Sequence, residues 1–233
     1  MGDITTFKRR EIKYILEEEK YKKIMAMLKT RLVEDEHGKS TICNVYYDTP
    51  DYRIIRKSLE KPVYKEKLRL RSYGVVPRDG KVFVELKKKY KGIVYKRREV
   101  MTLEQSEKYL KDGKCPKEQT QIIREIDWFM HYYENLAPAM YISYEREAYY
   151  SDEDPNLRIT FDENIMYRPY DMELSVNTGG MPILNQGQHL MEVKAGGAIP
   201  VWLTEMFGEL EIFPTSFSKY GRAYMATALI KED

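Results

Sequence analysis

Lys65-Glu66-Lys67-Leu68-Arg69-Leu70-Arg71 is the stretch on which the reading of this chain turns. With the two-residue period of a strand, Lys65, Lys67, Arg69 and Arg71 share one face, and Leu68 and Leu70 share the other. Like charges aligned on one face repel, so that face is either solvated or set against a polyanion. A solvated face is the ordinary fate of a single such strand; what argues against it here is repetition along the chain.

Working outward, the turn Pro77-Arg78-Asp79-Gly80 leads into Lys81–Lys89 as a hairpin partner, with Phe83, Glu85, Lys87 and Lys89 on one face and Val82, Val84 and Leu86 on the other. A further strand, Ile93–Met101, alternates Lys96 and Arg98 with Tyr95 and Arg97. Upstream, Thr41–Asp48 is a β-branched and aromatic strand, followed by a Thr49-Pro50 turn and a short helix over Tyr52–Leu59. Phe7–Leu16 reads as a strand with Arg9, Glu11 and Lys13 on one side, and Glu17–Val33 reads as a helix carrying Ile24, Met27 and Leu28 on one stripe.

Downstream, a helix starts near Thr102, and Pro116 opens a second, running to about Glu134, whose buried stripe is Ile122, Ile123, Ile126, Trp128 and Phe129. Met140–Tyr150 then places Tyr144, Arg146 and Ala148 together, and Leu157–Ile165 does the same for Arg158, Thr160 and Asp162. His189–Ala195 has Glu192 and Lys194 on one face, Pro200 starts a helix through Leu210, and Phe217–Leu229 forms a last helix.

The 233 residues are read as a single domain, residues 1–233. Net charge is only +2, with 39 basic residues against 37 acidic, so no general electrostatic drive toward nucleic acid exists and an anion site must come from local clustering. Two cysteines, Cys43 and Cys115, lack metal-ligand spacing; they fit a reducing compartment and are read as inert. With no membrane-length apolar run, a cytoplasmic location is expected. His37, His131 and His189 show no ligand spacing and are read as structural or solvated.

Roughly eight strands thus carry one Lys/Arg/Glu-rich face and one apolar face. The helices bring apolar stripes that need partners, which assigns the apolar strand faces outward and turns the charged faces into an enclosed lumen. Such a lumen is unstable dry and empty, and becomes consistent when it holds an anionic chain and a divalent metal.

The ordered segments Arg9-Arg10-Glu11-Ile12-Lys13-Tyr14, Lys67-Leu68-Arg69-Leu70-Arg71, Val84-Glu85-Leu86-Lys87, Tyr95-Lys96-Arg97-Arg98, Ser143-Tyr144-Glu145-Arg146, Leu157–Asp162, Met191-Glu192-Val193-Lys194 and Ser216-Phe217-Ser218-Lys219-Tyr220 resemble the VTC domain, the polyphosphate polymerase branch of the triphosphate tunnel metalloenzyme (CYTH-like) superfamily. The resemblance implies an α+β fold: an eight-stranded antiparallel β tunnel with a basic lumen and peripheral helices. It implies an enzyme that moves the terminal phosphoryl group of ATP, or of another nucleoside triphosphate, onto polyphosphate or pyrophosphate, with Mn²⁺ or Mg²⁺ as cofactor. Triphosphate hydrolysis and binding of polyphosphate or inositol polyphosphate without turnover are the alternatives on the same scaffold.

Carried over by position, the phosphate-contacting residues are Lys13, Arg69, Arg71, Lys87, Lys96, Arg146, Arg158 and Lys219. Glu192 matches the metal-binding glutamate, with Glu11 and Glu85 as further metal candidates, and Tyr144, Lys194, Ser218 and Arg98 as supporting contacts. The superfamily's Glu-x-Glu-x-Lys strand here begins with Arg9. Lys65 and Lys67, nearer a strand end, are expected to be solvated or to guide the anion towards the entrance, Lys88, Lys89, Lys91 and Arg97 to be surface charge, and Glu145 and Glu147 to be exterior or ion-paired. Tyr46, Tyr47, Trp128 and Trp202 are expected to pack. The resemblance admits a membrane-protein partner and leaves oligomeric state open.

Overall fold

In the computed structural model, residues 10–114 and 118–230 are described, with the side chain of Ile230 excepted. One antiparallel sheet holds every strand among the described residues: β1 (Arg10–Glu17), β2 (Val33–Glu34), β3 (Ser40–Asp48), β4 (Tyr64–Tyr73), β5 (Lys81–Tyr90), β6 (Ile93–Thr102), β7 (Ala137–Tyr150), β8 (Arg158–Arg168), β9 (Met181–Pro182) and β10 (Gln188–Ala195). Its main path runs β1-β10-β8-β7-β3-β4-β5-β6, with the two-residue strands β2 and β9 attached to β7 and β8. The edge strands β1 and β6 come together, yet no ladder joins them among the described residues. The ion pair from Lys87 on β5 to Glu11 on β1, 3.3 Å, spans the space beside that seam.

The alternation read from the sequence sets the two faces. Outward, Val45, Leu68, Leu70, Val84 and Leu86 pack under α3 (Leu103–Asp112) and α4 (Gln121–Tyr133). On the opposite flank Tyr14, Leu16, Ile159, Phe161, Met191 and Val193 pack under α1 (Glu18–Leu28) and α5 (Val201–Glu209). A buried aliphatic or aromatic side chain of this kind contributes about 1.5–3 kcal/mol, so these two cores anchor the sheet from outside.

The last helix, α6 (Lys219–Ile230), behaves differently. Phe217, Tyr220 and Ala223 pack on Ile15, Ile42, Tyr46, Ile142 and Leu190, which belong to the inward faces of their strands, and on α2 (Arg53–Leu59). A bulge makes this possible. The β7–β8 register shifts between Ser143 and Glu145, with Asn164 at φ +49°, so Asp162 faces the lumen while Ile165 and Tyr167 beyond the bulge join the apolar set around α6. One end of the tunnel is therefore partly filled by a helix, while the other helices named above stay outside.

Several element boundaries differ from expectation. The Glu17–Val33 helix stops at Leu28: the Lys29–Arg31 turn folds the chain back, Leu32 is buried, and Val33–Glu34 pairs with Tyr150 and Tyr149, a ladder that competes successfully with further helix. The second downstream helix starts at Gln121, where the Thr120 hydroxyl caps Ile123, and Pro116 and Cys115 lie outside the described residues. Trp128 is 55% exposed rather than part of the buried stripe, which Ile123, Ile126, Phe129 and Tyr133 supply. Arg9 also lies outside the described residues.

No helix among the described residues is long and apolar enough to cross a membrane.

Candidate functional site

The inward faces line a cavity of about 1120 Å³ whose wall is rich in Lys and Arg, with cations contributed by β1, β4, β5, β6, β7, β8, β10 and the start of α6. Its charges fall into two clusters and one unpaired row. The first cluster sits on β1, β7, β8 and β10. Arg146 grips Asp162 through two nitrogens (Nη2–Oδ2 2.7 Å) and reaches Glu192 Oε2 at 3.2 Å. Lys219 donates to Asp162 and, at 3.3 Å, to Glu192 Oε1, while Lys13 lies 3.2 Å from Glu192 and 3.5 Å from Glu11. Asp162 is fully buried and Glu192 nearly so. Burial raises the pKa of Glu192, but Lys13, Lys219 and Arg146 hold its carboxyl well below the usual range.

The second cluster sits on β3, β4, β5 and β6. Glu85, 1% exposed, accepts from Arg69 Nη2 at 2.7 Å, and lies 3.7 Å from Arg71 Nε and 2.8 Å from Lys96 Nζ. Burial raises its pKa, and the three cations more than reverse that. Arg69 also donates to the Tyr46 hydroxyl at 3.0 Å, and Tyr46 stacks on Tyr220, whose hydroxyl is fixed by Asp48 at 2.8 Å. Arg71 donates to Asn44 Oδ1 and the Tyr144 hydroxyl at 3.0 and 3.1 Å. Arg71, Arg146 and Lys219 overcome the effect of burial and pull Tyr144 down to about 8. These contacts hold the guanidinium planes before any ligand arrives.

The row begins at Lys67, whose amine donates to Ser218 Oγ at 3.0 Å, the same oxygen that caps Gly221 N at the start of α6. Two donors on that oxygen leave the Ser218 O–H free to donate to a lumen ligand. Burial first, then Lys13, Lys87, Lys65 and Arg69, push the Lys67 amine down to about 7.

Of the residues singled out from sequence, Lys13, Arg69, Arg71, Lys87, Lys96, Tyr144, Arg146, Lys194, Ser218 and Lys219 all line this cavity. Arg158 and Arg98 stand at its opposite end from α6: Arg158 is bound to Asp35 at 2.8 Å, and Arg98 lies over the Phe83 ring at 5.0 Å. The three carboxylates do not converge. Glu11 and Glu192 share Lys13, whereas Glu85 belongs to the other cluster, and no group of three His, Cys, Asp or Glu forms a metal cage among the described residues.

Lys89, read from sequence as surface charge, lines the lumen, as do Lys65 and Lys67, read as solvated or anion-guiding, and Tyr46, which also packs on Tyr220. The inward parity of Lys65 and Lys67 was already visible in their alternation with Arg69. Asp162, absent from the candidates, is the fully buried hub of the first cluster; its alternation with Arg158 and Thr160 was the available signal. Lys88 and Arg97 lie outside as expected, where both pair with Glu125 of α4. Glu145 and Glu147 are also outside, bound by Lys39 and the Tyr149 hydroxyl.

The first cluster also carries oxygen donors of the kind that Mg²⁺ or Mn²⁺ takes. Thr160 Oγ1 is buried without a hydrogen-bond partner on the ladder position opposite Glu192, and Glu11 is held near the same carboxylate through Lys13. Hard oxygen donors, one or two carboxylates with phosphate and water completing the shell, are what these ions take.

The fold is similar to that of a putative adenylyl cyclase from Hippeastrum described as having a dominant triphosphatase activity, with a TM-score of 0.60 and 15% identity over 94% of this chain and 96% of that one. It is also similar to a putative adenylate cyclase from Bacillus halodurans, with a TM-score of 0.57 and 12% identity over 92% and 96% of the two chains. A search of curated proteins finds none that matches. The sequence profile of the VTC domain matches residues 8–228, nearly the whole length, and the chain belongs to the VTC domain family.

Proposed function

We propose that this protein is a metal-dependent polyphosphate polymerase that uses the terminal phosphate of ATP. The observation that carries the reading is the placement of the Glu11–Glu192 carboxylate pair inside a ring of cations contributed by seven strands and α6, a lumen suited to a polyanion together with a divalent ion. Membership of the VTC domain family supports the polymerase form of that chemistry.

Phosphoryl transfer demands in-line positioning and charge neutralisation more than a protein nucleophile. The terminal oxygen of the acceptor chain attacks the γ-phosphorus, a new P–O–P bond forms, the bond to ADP breaks, and ADP leaves with the electron pair. Arg69 and Arg71, held by Glu85, and Arg146, held by Asp162, present planar donors to phosphate oxygens, while Lys13 and Lys219 act as point charges. Glu192 and Glu11, with the Thr160 hydroxyl, would hold Mg²⁺ or Mn²⁺, which supplies charge neutralisation at the transferring phosphoryl group.

Purified protein incubated with ATP and Mn²⁺ is expected to yield long-chain polyphosphate and ADP. Release of orthophosphate with no chain would instead support hydrolysis, the activity named for the Hippeastrum neighbour. Binding of polyphosphate with no turnover of ATP would reduce the site to a binding module.

A further inference from the structure

We propose that Ser218 is a site of self-phosphorylation, a hydroxyl of the lumen wall that accepts the γ-phosphoryl group of ATP when no polyphosphate is present, with Lys67 receiving its proton. The proposal deepens the polymerase reading and rests on ATP as the phosphoryl donor.

Ser218 lines the cavity directly ahead of α6, and its Oγ lies 3.0 Å from Lys67 Nζ, the reach of a nucleophile to its base. The serine is held from several sides. Gly221 N–H donates to the same oxygen at 3.1 Å, the Ser218 carbonyl accepts from Arg222 N at 2.8 Å, and the preceding carbonyl, of Phe217, accepts from Lys13 at 3.2 Å. An N–H at a helix start favours negative charge on the oxygen it faces, and such charge develops as the hydroxyl loses its proton. The other lumen hydroxyls are placed differently. Tyr46 and Tyr144 accept from the guanidiniums of Arg69 and Arg71, which cannot take up a proton. Ser40 donates to a backbone carbonyl, and Thr160 Oγ1 has no hydrogen-bond partner among the described residues.

The lysines at this turn differ in what they can do. Lys219 is bound to Asp162 and Glu192, and Lys13 to Glu192 and Glu11, so both amines stay charged. Lys67 faces Lys87 across the ladder, and burial with the neighbouring cations drives its amine down to about 7, so near neutral pH much of it is the free base. A charged Lys67 donates to Ser218; the free amine accepts the serine O–H along the same line. In the transfer, Ser218 Oγ attacks the γ-phosphorus and an O–P bond forms. The bond from that phosphorus to the bridging oxygen of ADP breaks, ADP leaves with the electron pair, and the serine proton passes to Lys67 Nζ. The phosphoserine then has an ammonium and a helix N-terminus beside it, both of which stabilise its charge. Its phosphate oxygens are the same kind of acceptor as the end of a free chain, so the next γ-phosphoryl group follows by the step already described.

The test incubates the full chain with ATP and Mn²⁺ in the absence of polyphosphate and follows the intact mass and the phosphopeptides. The expected adduct is acid-stable and maps to Ser218. Ser218→Ala abolishes it, Ser218→Thr restores it, and Lys67→Arg, which keeps the charge but not the base, slows its formation by about 10²-fold. Thermal midpoints measured alongside separate loss of the base from loss of the fold. At saturating ATP the rate rises with pH through the titration of Lys67, opposite to the trend expected for tripolyphosphate binding, and added tripolyphosphate suppresses the adduct by competing for the lumen. The site is overturned by the absence of an adduct, by an acid-labile adduct on Lys67, by an adduct on other residues alone, or by equal rates with and without Lys67→Arg. Polymer made from ATP with no adduct on Ser218 removes the site and leaves the polymerase reading standing. A Ser218 adduct with no polymer removes the polymerase reading and leaves the site standing.

Discussion

Two regions of one lumen carry the same kind of residue in opposite electrostatic states. Around Asp162 and Glu192 every cation has a carboxylate within ion-pair distance, as it does around Glu85 on the facing wall. Toward the α6 end, Lys65 and Lys67 have only hydroxyl and carbonyl oxygens. A neutralised cation is immobilised and ready to orient a ligand, but it has little net potential left with which to attract one. An unneutralised cation destabilises the empty protein and recovers that energy when an anion arrives. The lumen thus divides orientation from capture, and substitutions on the two sides should fail in different ways.

The largest effect is expected from Glu192→Ala, which removes the shared partner of Lys13, Lys219 and Arg146 and one of the two candidate metal carboxylates. ATP-dependent turnover should fall by about 10²–10³ or more, while tripolyphosphate binding without metal should hold or tighten, because a lumen carboxylate is gone. Weakened metal-free binding would show instead that Glu192 serves to organise the cations.

Arg146→Ala leaves Asp162 buried with Lys219 as its remaining cation. Breaking a buried pair from one side costs about 3–5 kcal/mol, so urea denaturation should register it alongside an activity loss. Lys65→Gln on the other side should leave the denaturation midpoint unchanged or raise it.

The row should also be sensitive to pH. In the folded protein the Lys67 amine titrates near 7, far below an ordinary lysine, so the unfolded chain binds more protons between that pH and about 10. Stability from this group is therefore lowest below pH 7 and rises as pH increases. Anion binding runs the other way, since it favours the charged amine. Tripolyphosphate affinity should decline by up to about tenfold per unit as pH rises above 7, with proton uptake visible in calorimetry using buffers of different ionisation enthalpy. Lys67→Arg should flatten that decline; an unchanged profile would assign it to Tyr144 or to the ligand.

A smaller effect is expected from Gly221→Ala. A Cβ there would lie 2.9 Å from Leu59 Cδ2 and 3.3 Å from Ser218 Oγ, pressing α6 away from α2 and disturbing the oxygen that receives Lys67. About 1–3 kcal/mol of stability should be lost, with a modest fall in anion affinity. Smallest is Glu125→Ala on the outer face. Its pairs with Lys88 and Arg97 are partly exposed, so stability should change by about 1 kcal/mol or less and anion binding not at all.

Strands were legible wherever one face differed from the other in kind. The strand read around Lys65–Arg71 forms as β4, its hairpin partner read over Lys81–Lys89 forms as β5, and the capping box formed by Thr102 and Gln105 marks the start of α3. Period alone, however, cannot say how far a strand keeps its parity. The bulge at Asn164 reverses the inner face of β8 and allows α6 to enter the barrel, and nothing in the local alternation before it announces that reversal. The same limit applies to Asp162. A lone acid on a strand with Arg158 and Thr160 becomes a hub only once β10 and α6 bring Glu192 and Lys219 beside it. Which cations are neutralised depends on pairings between distant segments, so the contrast between the two halves of the lumen had to come from the structure.

The seam between β1 and β6 has a consequence for how the protein is made. β1, the first strand, has its ladder with β10, the last, and among the described residues no hydrogen-bonded alternative at β6. During synthesis the hairpins of β4, β5 and β6 are complete long before β1 has a neighbour, so their lysine faces spend that interval open to water, where convergence costs little. The tunnel comes into existence only when β10 and α6, which follow all the other strands in the chain, have been made. Its long-range closure makes it a slow step in assembly, and the lumen's mutual repulsion is met only once Asp162, Glu192 and α6 are there to balance it.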